Sequence, residues 1–228
     1  MCGRYTLRTP KERIKREFQL QEEPSVEARF NITPTQNVLA VRQRADGRVA
    51  AELKWGLIPS WAKDASMGAR LINARSETVT EKPSFREAFK RRRCIIPADG
   101  IYEWQRTGGL KQPFFFRMSD DSVFGFAGLW DRWKDEGGEV IESCAILTTD
   151  ANSLFRSAHD RMPVILHPDA YDEWLDDDVR NVEALKELLR PYPSSEMVAY
   201  PVSTRVNSPQ SQGEDLIKRL TTNSIEAP

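Results

Sequence analysis

The second residue of this chain is a cysteine, in the opening run Met1-Cys2-Gly3-Arg4. With Met1 removed, Cys2 would carry a free α-amine beside its thiol, a pairing that no internal cysteine has. An amine attacks an aldehyde to give an imine, and a thiolate then closes on the imine carbon. The product is a five-membered thiazolidine, which reverses far less readily than an open Schiff base. A peptide α-amine titrates at ~7.7–8.0, so part of it is already nucleophilic at neutral pH. A thiol with a pKa of ~8.5 needs only modest help to supply thiolate. In most chains a cysteine at position 2 is an ordinary residue, so its chemistry here depends on what the remaining residues place around it.

The elements that must do the placing follow from periodicity and turn residues. Thr9-Pro10-Lys11-Glu12 reads as a helix start with Thr9 as cap and Glu12 closing a capping box, and Ile14 and Phe18 give the helix an apolar face. Val38–Arg42 and Val49–Trp55 flank Asp46-Gly47 and predict a hairpin. Ser84 and Glu87 form a second capping-box pattern, opening a helix that ends at Arg91-Arg92-Arg93, where cations suit the helix dipole. Five β segments are expected at Cys94–Pro97, Ile101–Gln105, Pro113–Arg117, Val123–Leu129 and Val140–Thr149. Helical patterns return at Ala151–Ser157, Pro168–Leu175 and Val182–Leu189. A strand is expected near Val198–Val202 and a last helix over Glu214–Leu220. Strands and helices intermingle without βαβ alternation. The expected class is α+β: a single domain with a curved, mostly antiparallel sheet or barrel-like core and peripheral helices.

Composition narrows the function classes. The chain has 228 residues, 39% hydrophobic and 29% charged, which describes an ordinary globular protein. No run approaches a membrane span and the N-terminus has no apolar signal region, so membrane partners are not expected. Cys2, Cys94 and Cys144 at unrelated spacings, with only His159 and His167, predict neither disulfides nor a metal site, and no cofactor is expected. A reducing cytoplasm is the natural compartment, and Cys94 and Cys144 read as core residues. The net charge of −1 hides basic segments at 1–48 and 70–93 and an acidic one at 169–187. Such separation is compatible with one face meeting a polyanion, although a solvated surface of mixed sign accounts for it as well.

Six motifs occur in order along the chain: Cys2-Gly3-Arg4-Tyr5, Asn31-Ile32-Thr33-Pro34, Trp55–Trp61, Asn73-Ala74-Arg75-Ser76-Glu77-Thr78, Pro97–Trp104 and His159–Val164. Together they resemble the SRAP (SOS-response-associated peptidase) family, whose members crosslink to abasic sites in single-stranded DNA. The likeness extends over about residues 2–205 of one domain, leaving an extension of about 206–228. The resemblance implies a barrel-like core with a basic channel leading to the amino terminus, and the ring-opened aldehyde of an abasic deoxyribose as substrate. Imine formation at C1′ followed by thiazolidine closure on Cys2 removes the electron sink that otherwise promotes β-elimination and strand breakage. Glu103 matches the family's catalytic carboxylate, which relays the proton of the amine. His159 matches a histidine that protonates the sugar oxygen or stabilises the product, and Asn31 a residue that orients amine or sugar. Phosphate contacts are expected from Arg4, Arg75 and Arg161, with neutral hydrogen bonds from Asn73, Thr148 and Thr149. Pro34 and Trp61 are expected as a wedge or stacking surface at the lesion, and Trp55 as core. The implied partner is single-stranded DNA containing abasic sites, met by a monomer in the cytoplasm, associated with the nucleoid during DNA damage.

Two other classes fit parts of the same sequence. A cysteine-type (auto)peptidase would use Cys2, His159 and Glu103 as nucleophile, base and orienter, with a single turnover that releases Met1 as its simplest form. A non-catalytic single-stranded DNA-binding module would use the motifs only to build a groove.

Overall fold

The Asp46-Gly47 hairpin forms as the turn chemistry dictates, with Gly47 at φ +133°, in the left-handed half of backbone space. It joins β3 (Asn37–Arg44) to β4 (Gly47–Trp55) in unbroken antiparallel register from Arg44↔Gly47 to Asn37↔Lys54. The computed structural model describes residues 2–107, 110–178 and 181–220. The other strands are β1 (Tyr5–Leu7), β2 (Arg29–Ile32), β5 (Asn73–Arg75), β6 (Arg93–Ala98), β7 (Gly100–Thr107) and β8 (Leu110–Met118). They continue with β9 (Phe124–Lys134), β10 (Val140–Asp150), β11 (Arg161–Pro163), β12 (Ile165–Leu166) and β13 (Met197–Pro201). Short helices lie at α1 (Lys11–Glu17), α2 (Arg86–Arg91), α3 (Tyr171–Leu175) and α4 (Val182–Glu187).

Five strands close on themselves. β4 pairs β3, β3 pairs β6, β6 pairs β9, β9 pairs β10, and β10 returns to β4 through a parallel contact at Cys144↔Trp55. Closure removes free edges from the barrel. Every residue of β6 is buried, because one face fills the barrel and the other is covered from outside. Trp55, Cys94 and Cys144 are fully buried in this core, as their apolar strands predict. A second, five-stranded antiparallel sheet runs β13-β8-β7-β1-β2. The fold is therefore a single domain with a mostly β core, as expected.

The two sheets meet where β6 hands over to β7, at Asp99-Gly100. Asp99 is 1% exposed and its carboxylate accepts from Thr6 Oγ1 at 2.6 Å, the Arg8 amide at 2.6 Å, and the Thr9 amide and hydroxyl at 2.7 and 2.8 Å. These bonds fasten the N-terminal strand to the junction. Gly100 is required by close approach: a Cβ there would lie 2.0 Å from the Phe115 ring.

Both capping boxes fail to form. Thr9 gives its hydroxyl to Asp99, and α1 starts after Pro10 without a side-chain cap. α2 starts at Arg86, behind a turn in which the Phe85 amide donates to the Lys82 carbonyl, so Ser84 lies outside the cap position. The helix expected at 151–157 shrinks to a 3-10 turn at Phe155–Ser157, because Asn152 Oδ1 takes the Phe155 amide and competes with regular helix bonding. The one expected at 214–220 is likewise a 3-10 turn, Glu214–Ile217. The arginine run does serve a helix end: buried Arg93 donates to the Phe89 and Lys90 carbonyls of the last turn of α2, both at 2.8 Å.

Asp99→Ala is expected to cost about 3 kcal/mol, since it strands several buried donors of a charge-assisted network. Asp121→Ala, which removes a half-exposed partner of Arg8, should cost less than about 1 kcal/mol. Urea unfolding midpoints of the two variants check the contrast.

Candidate active site

Strand β1 delivers the reactive end of the chain. Tyr5 pairs with Ile101, and the Tyr102 amide donates to the Arg4 carbonyl at 3.0 Å. Continuing this antiparallel register sets Gly3 opposite Glu103, next to Cys2. Cys2 is fully buried, and its carbonyl accepts from Asn73 Nδ2 at 2.8 Å. Burial, with the nearby Glu103 charge, pushes the Cys2 thiol well above the ordinary range, so the thiol holds its proton.

Glu103 is 4% exposed. Burial raises its carboxyl to about 7, against the opposing charge of the amino terminus. A carboxyl poised there both accepts and returns protons at neutral pH. The alternation along β7 explains its direction: Tyr102 and Trp104 join the cluster of Phe115, Val202, Val206 and Leu216, and Glu103 between them points the other way.

His159 follows the 3-10 turn at Phe155–Ser157, fixed by its amide bond to the Phe155 carbonyl at 2.9 Å. Its Nδ1 accepts the Arg161 amide at 2.9 Å and also lies 2.7 Å from Asp160 Oδ1. One nitrogen cannot serve both contacts with a neutral ring. Asp160 is 86% exposed and can turn into water, so the backbone bond decides, leaving the proton on Nε2. Burial and the amino terminus lower the imidazole below its usual range, which keeps it neutral at pH 7. His159 borders two open cavities. One, of about 770 Å³, is shared with Arg4, Glu103 and Trp104. The other, of about 680 Å³, is shared with Arg75, Glu77, Thr78, Asp150, Asp160 and Arg161, so its wall mixes acids and cations.

The structure thus brings Cys2, Glu103, His159 and Arg4 into one neighbourhood. It gives the two asparagines different surroundings from those the motifs suggest. Asn73 is the one bonded to Cys2, and its buried Oδ1 has no partner among the described residues. Asn31 is fully buried, with Oδ1 accepting from Arg4 Nη1 at 2.9 Å and Nδ2 donating to the Ser208 and Ser211 carbonyls at 2.9 and 3.0 Å. It ties the segment after residue 205 to Arg4. Which asparagine meets Cys2 depends on the parallel pairing of β5 with β10, at Ile146↔Asn73. Spacing in the sequence carries no sign of that pairing.

The residues expected to contact phosphate also divide. Arg75 is exposed on β5. Arg161 is gripped by Glu77 at 2.7 and 2.9 Å, Asp150 at 3.0 Å and the Thr148 carbonyl at 2.7 Å, so its charge is largely neutralised in place. Glu77 is held below the usual carboxylate range: burial acts to raise it and the Arg161 bond outweighs that. Thr148 and Thr149 are buried within β10 and form the floor of this region instead of its surface. Trp61 is 56% exposed, a large unpacked indole. Pro34 is half-buried, before Thr35 at φ +71°. Residue type does not mark Asp99 and Glu77 as builders of the site, because each acts through a contact of long sequence separation. Among the described residues no group of three or more His, Cys, Asp or Glu is disposed to hold a metal ion.

This fold and site define a protein family. Residues 1–209 match the model of the family described as SOS response associated peptidase (SRAP), and the chain belongs to it. It is 40% identical to the abasic site processing protein YoaM of Bacillus subtilis over 95% of this chain and 97% of that protein. It is 38% identical to the chicken abasic site processing protein HMCES over 74% of this chain and 57% of that longer protein. Among solved structures, a Bacteroides thetaiotaomicron protein superposes with TM-score 0.87 at 27% identity, covering 96% of this chain and all of the other. A Bordetella bronchiseptica protein gives 0.79 at 34% identity, over 89% of this chain and all of the other. Among the described residues no helix is long and apolar enough to cross a membrane.

The raised Glu103 carboxyl makes stability depend on pH. Its folded value near 7 exceeds the ordinary 4.5, so between those values the folded chain holds a proton the unfolded chain has lost, and stability falls as pH rises. Relative to the wild type, Glu103→Gln should gain roughly 2–3 kcal/mol between pH 4.5 and 8. Urea midpoints measured for both across that range check the sign.

Proposed function

We propose that this chain captures abasic sites in single-stranded DNA as a covalent thiazolidine on Cys2, once Met1 is gone. The α-amine adds to the C1′ aldehyde of the ring-opened sugar and water leaves to form the imine. The thiol sulfur then bonds to the same carbon, and its proton ends on the ring nitrogen. Glu103 takes a proton from the attacking amine and returns one as water departs. Neutral His159 donates from Nε2 to the sugar oxygen as the furanose opens. Asn73 holds the Cys2 backbone, and its buried Oδ1 offers the amine an acceptor.

The observation that carries this reading is the burial of Cys2, the residue that Met1 removal would make N-terminal, near a carboxyl that burial raises to about 7, in a family whose members include abasic site processing proteins. The raised thiol favours capture over general proteolysis, because a cysteine hydrolase works with a standing thiolate and this site opposes one. Arg75 and exposed Trp61 supply phosphate and stacking contacts without reading base edges, so binding should be independent of sequence and weaken with salt.

Intact-mass spectrometry before and after incubation with a single-stranded oligonucleotide carrying one abasic site tests the proposal. The expected result is a chain lacking Met1 that gains one oligonucleotide, less the mass of one water. Cys2→Ala and undamaged DNA should give no adduct. Glu103→Gln should slow adduct formation by about 100-fold. A processed chain that forms no adduct overturns the reading.

A further inference from the structure

The cavity beside Glu103 and His159 has an outer wall that the capture chemistry does not use. Arg106 and Lys111 sit directly opposite each other on β7 and β8, and both line that cavity with Arg4 and Asn207. Like charges directly opposite on paired strands destabilise the pair. Exposed cations usually find an acid or lie scattered in solvent. Elsewhere in the chain Arg8 pairs with Asp121, Arg161 with Glu77 and Arg205 with Asp215. Arg106 and Lys111 have no ion pair or side-chain hydrogen bond among the described residues.

The remaining groups on this wall are donors held in place. Asn207 Oδ1 accepts the Trp104 indole N–H at 2.7 Å, which fixes the amide and turns its Nδ2 donor away from the indole. Arg4 commits Nη1 to Asn31 and the Val206 carbonyl, leaving Nη2 for the cavity it lines. Gln105 donates to the Ser157 carbonyl at 3.1 Å, so the strand bearing Arg106 is fastened to the turn bearing His159. A wall of three cations and one amide donor, built in spite of cross-strand repulsion, suits a run of phosphodiesters.

We infer that Arg106, Lys111, Arg4 and Asn207 form a phosphate-binding platform for the DNA backbone on one side of the lesion. The strand crosses His159, which borders both cavities, and leaves past exposed Arg75, in a cavity whose Glu77 and Asp150 carboxylates are already bound to Arg161. This inference rests on the abasic-DNA reading above and adds to it two cations and a strand path.

The test is fluorescence anisotropy of the full chain with a single-stranded oligonucleotide carrying a tetrahydrofuran abasic analogue, which lacks the aldehyde and so reports binding without capture. Arg106→Ala/Lys111→Ala should weaken binding about tenfold in ~0.1 M salt and flatten the slope of log K against log salt by about 1.4, since two phosphates would no longer be neutralised. Arg106→Lys/Lys111→Arg, which keeps both charges, should keep the wild-type slope. With oligonucleotides that stop at the lesion on one side or the other, the alanine defect should vanish for one truncation and persist for the opposite one. Equal affinity and slope in the wild type and the alanine variant overturn the platform while leaving the function intact. A defect that survives both truncations overturns the strand path. A wild type that binds no single-stranded DNA overturns the functional reading and this inference with it.

Discussion

One buried carboxylate decides whether this protein has a site at all. Asp99 gathers the Thr6 hydroxyl, the Arg8 amide and both donors of Thr9 onto two oxygens at the junction of barrel and sheet. A chain terminus is ordinarily the least ordered part of a domain. Here the anchor begins four residues beyond Cys2, and β1 is hydrogen-bonded on both sides, to β2 and β7. The lever between anchor and reactive group is too short to swing far. The conformational entropy of the terminus is therefore lost on folding and not again when a substrate arrives, which is the benefit of preorganisation.

The site's proton chemistry follows from how far each group is buried. The Cys2 thiol, the Glu103 carboxyl and the His159 imidazole are all displaced toward their neutral forms, with burial as the leading cause in each case. Of the three, the Glu103 carboxyl, raised to about 7, is the one placed to exchange protons at neutral pH, as the proposed addition and dehydration require. Arg161 behaves differently. It too is largely buried, and Glu77, Asp150 and the Thr148 carbonyl take its donors.

The segment after residue 203 completes the sheet it rests on. The Gln212 side chain accepts from the Phe30 amide and donates to the Asn31 carbonyl, both at 3.0 Å, imitating a strand along the exposed edge of β2. Val206 and Leu216 bury against Tyr102 and Phe115, the reverse face of the strand that carries Glu103. Asn31 and Arg4 reach into the same segment, so residues outside all six motifs help fix the cavity wall.

Much of this was legible in the residues themselves. The amine–thiol pair that Cys2 would carry once Met1 is removed is a matter of position and covalent chemistry, independent of fold. The Asp46-Gly47 hairpin, the core role of Trp55, and Arg93 at a helix end follow from local rules that the structure obeys. What the tertiary structure alone decided are contacts of long sequence separation. Thr9 met Asp99 ninety residues away and abandoned its cap. Asn73 met Cys2 because a three-residue strand pairs parallel with β10, while Asn31 turned to a segment some 180 residues on. Local sequence fixes what a side chain can offer, donor, acceptor or proton. Which partner takes the offer is set by barrel closure and strand register, and no spacing along the chain encodes those distances.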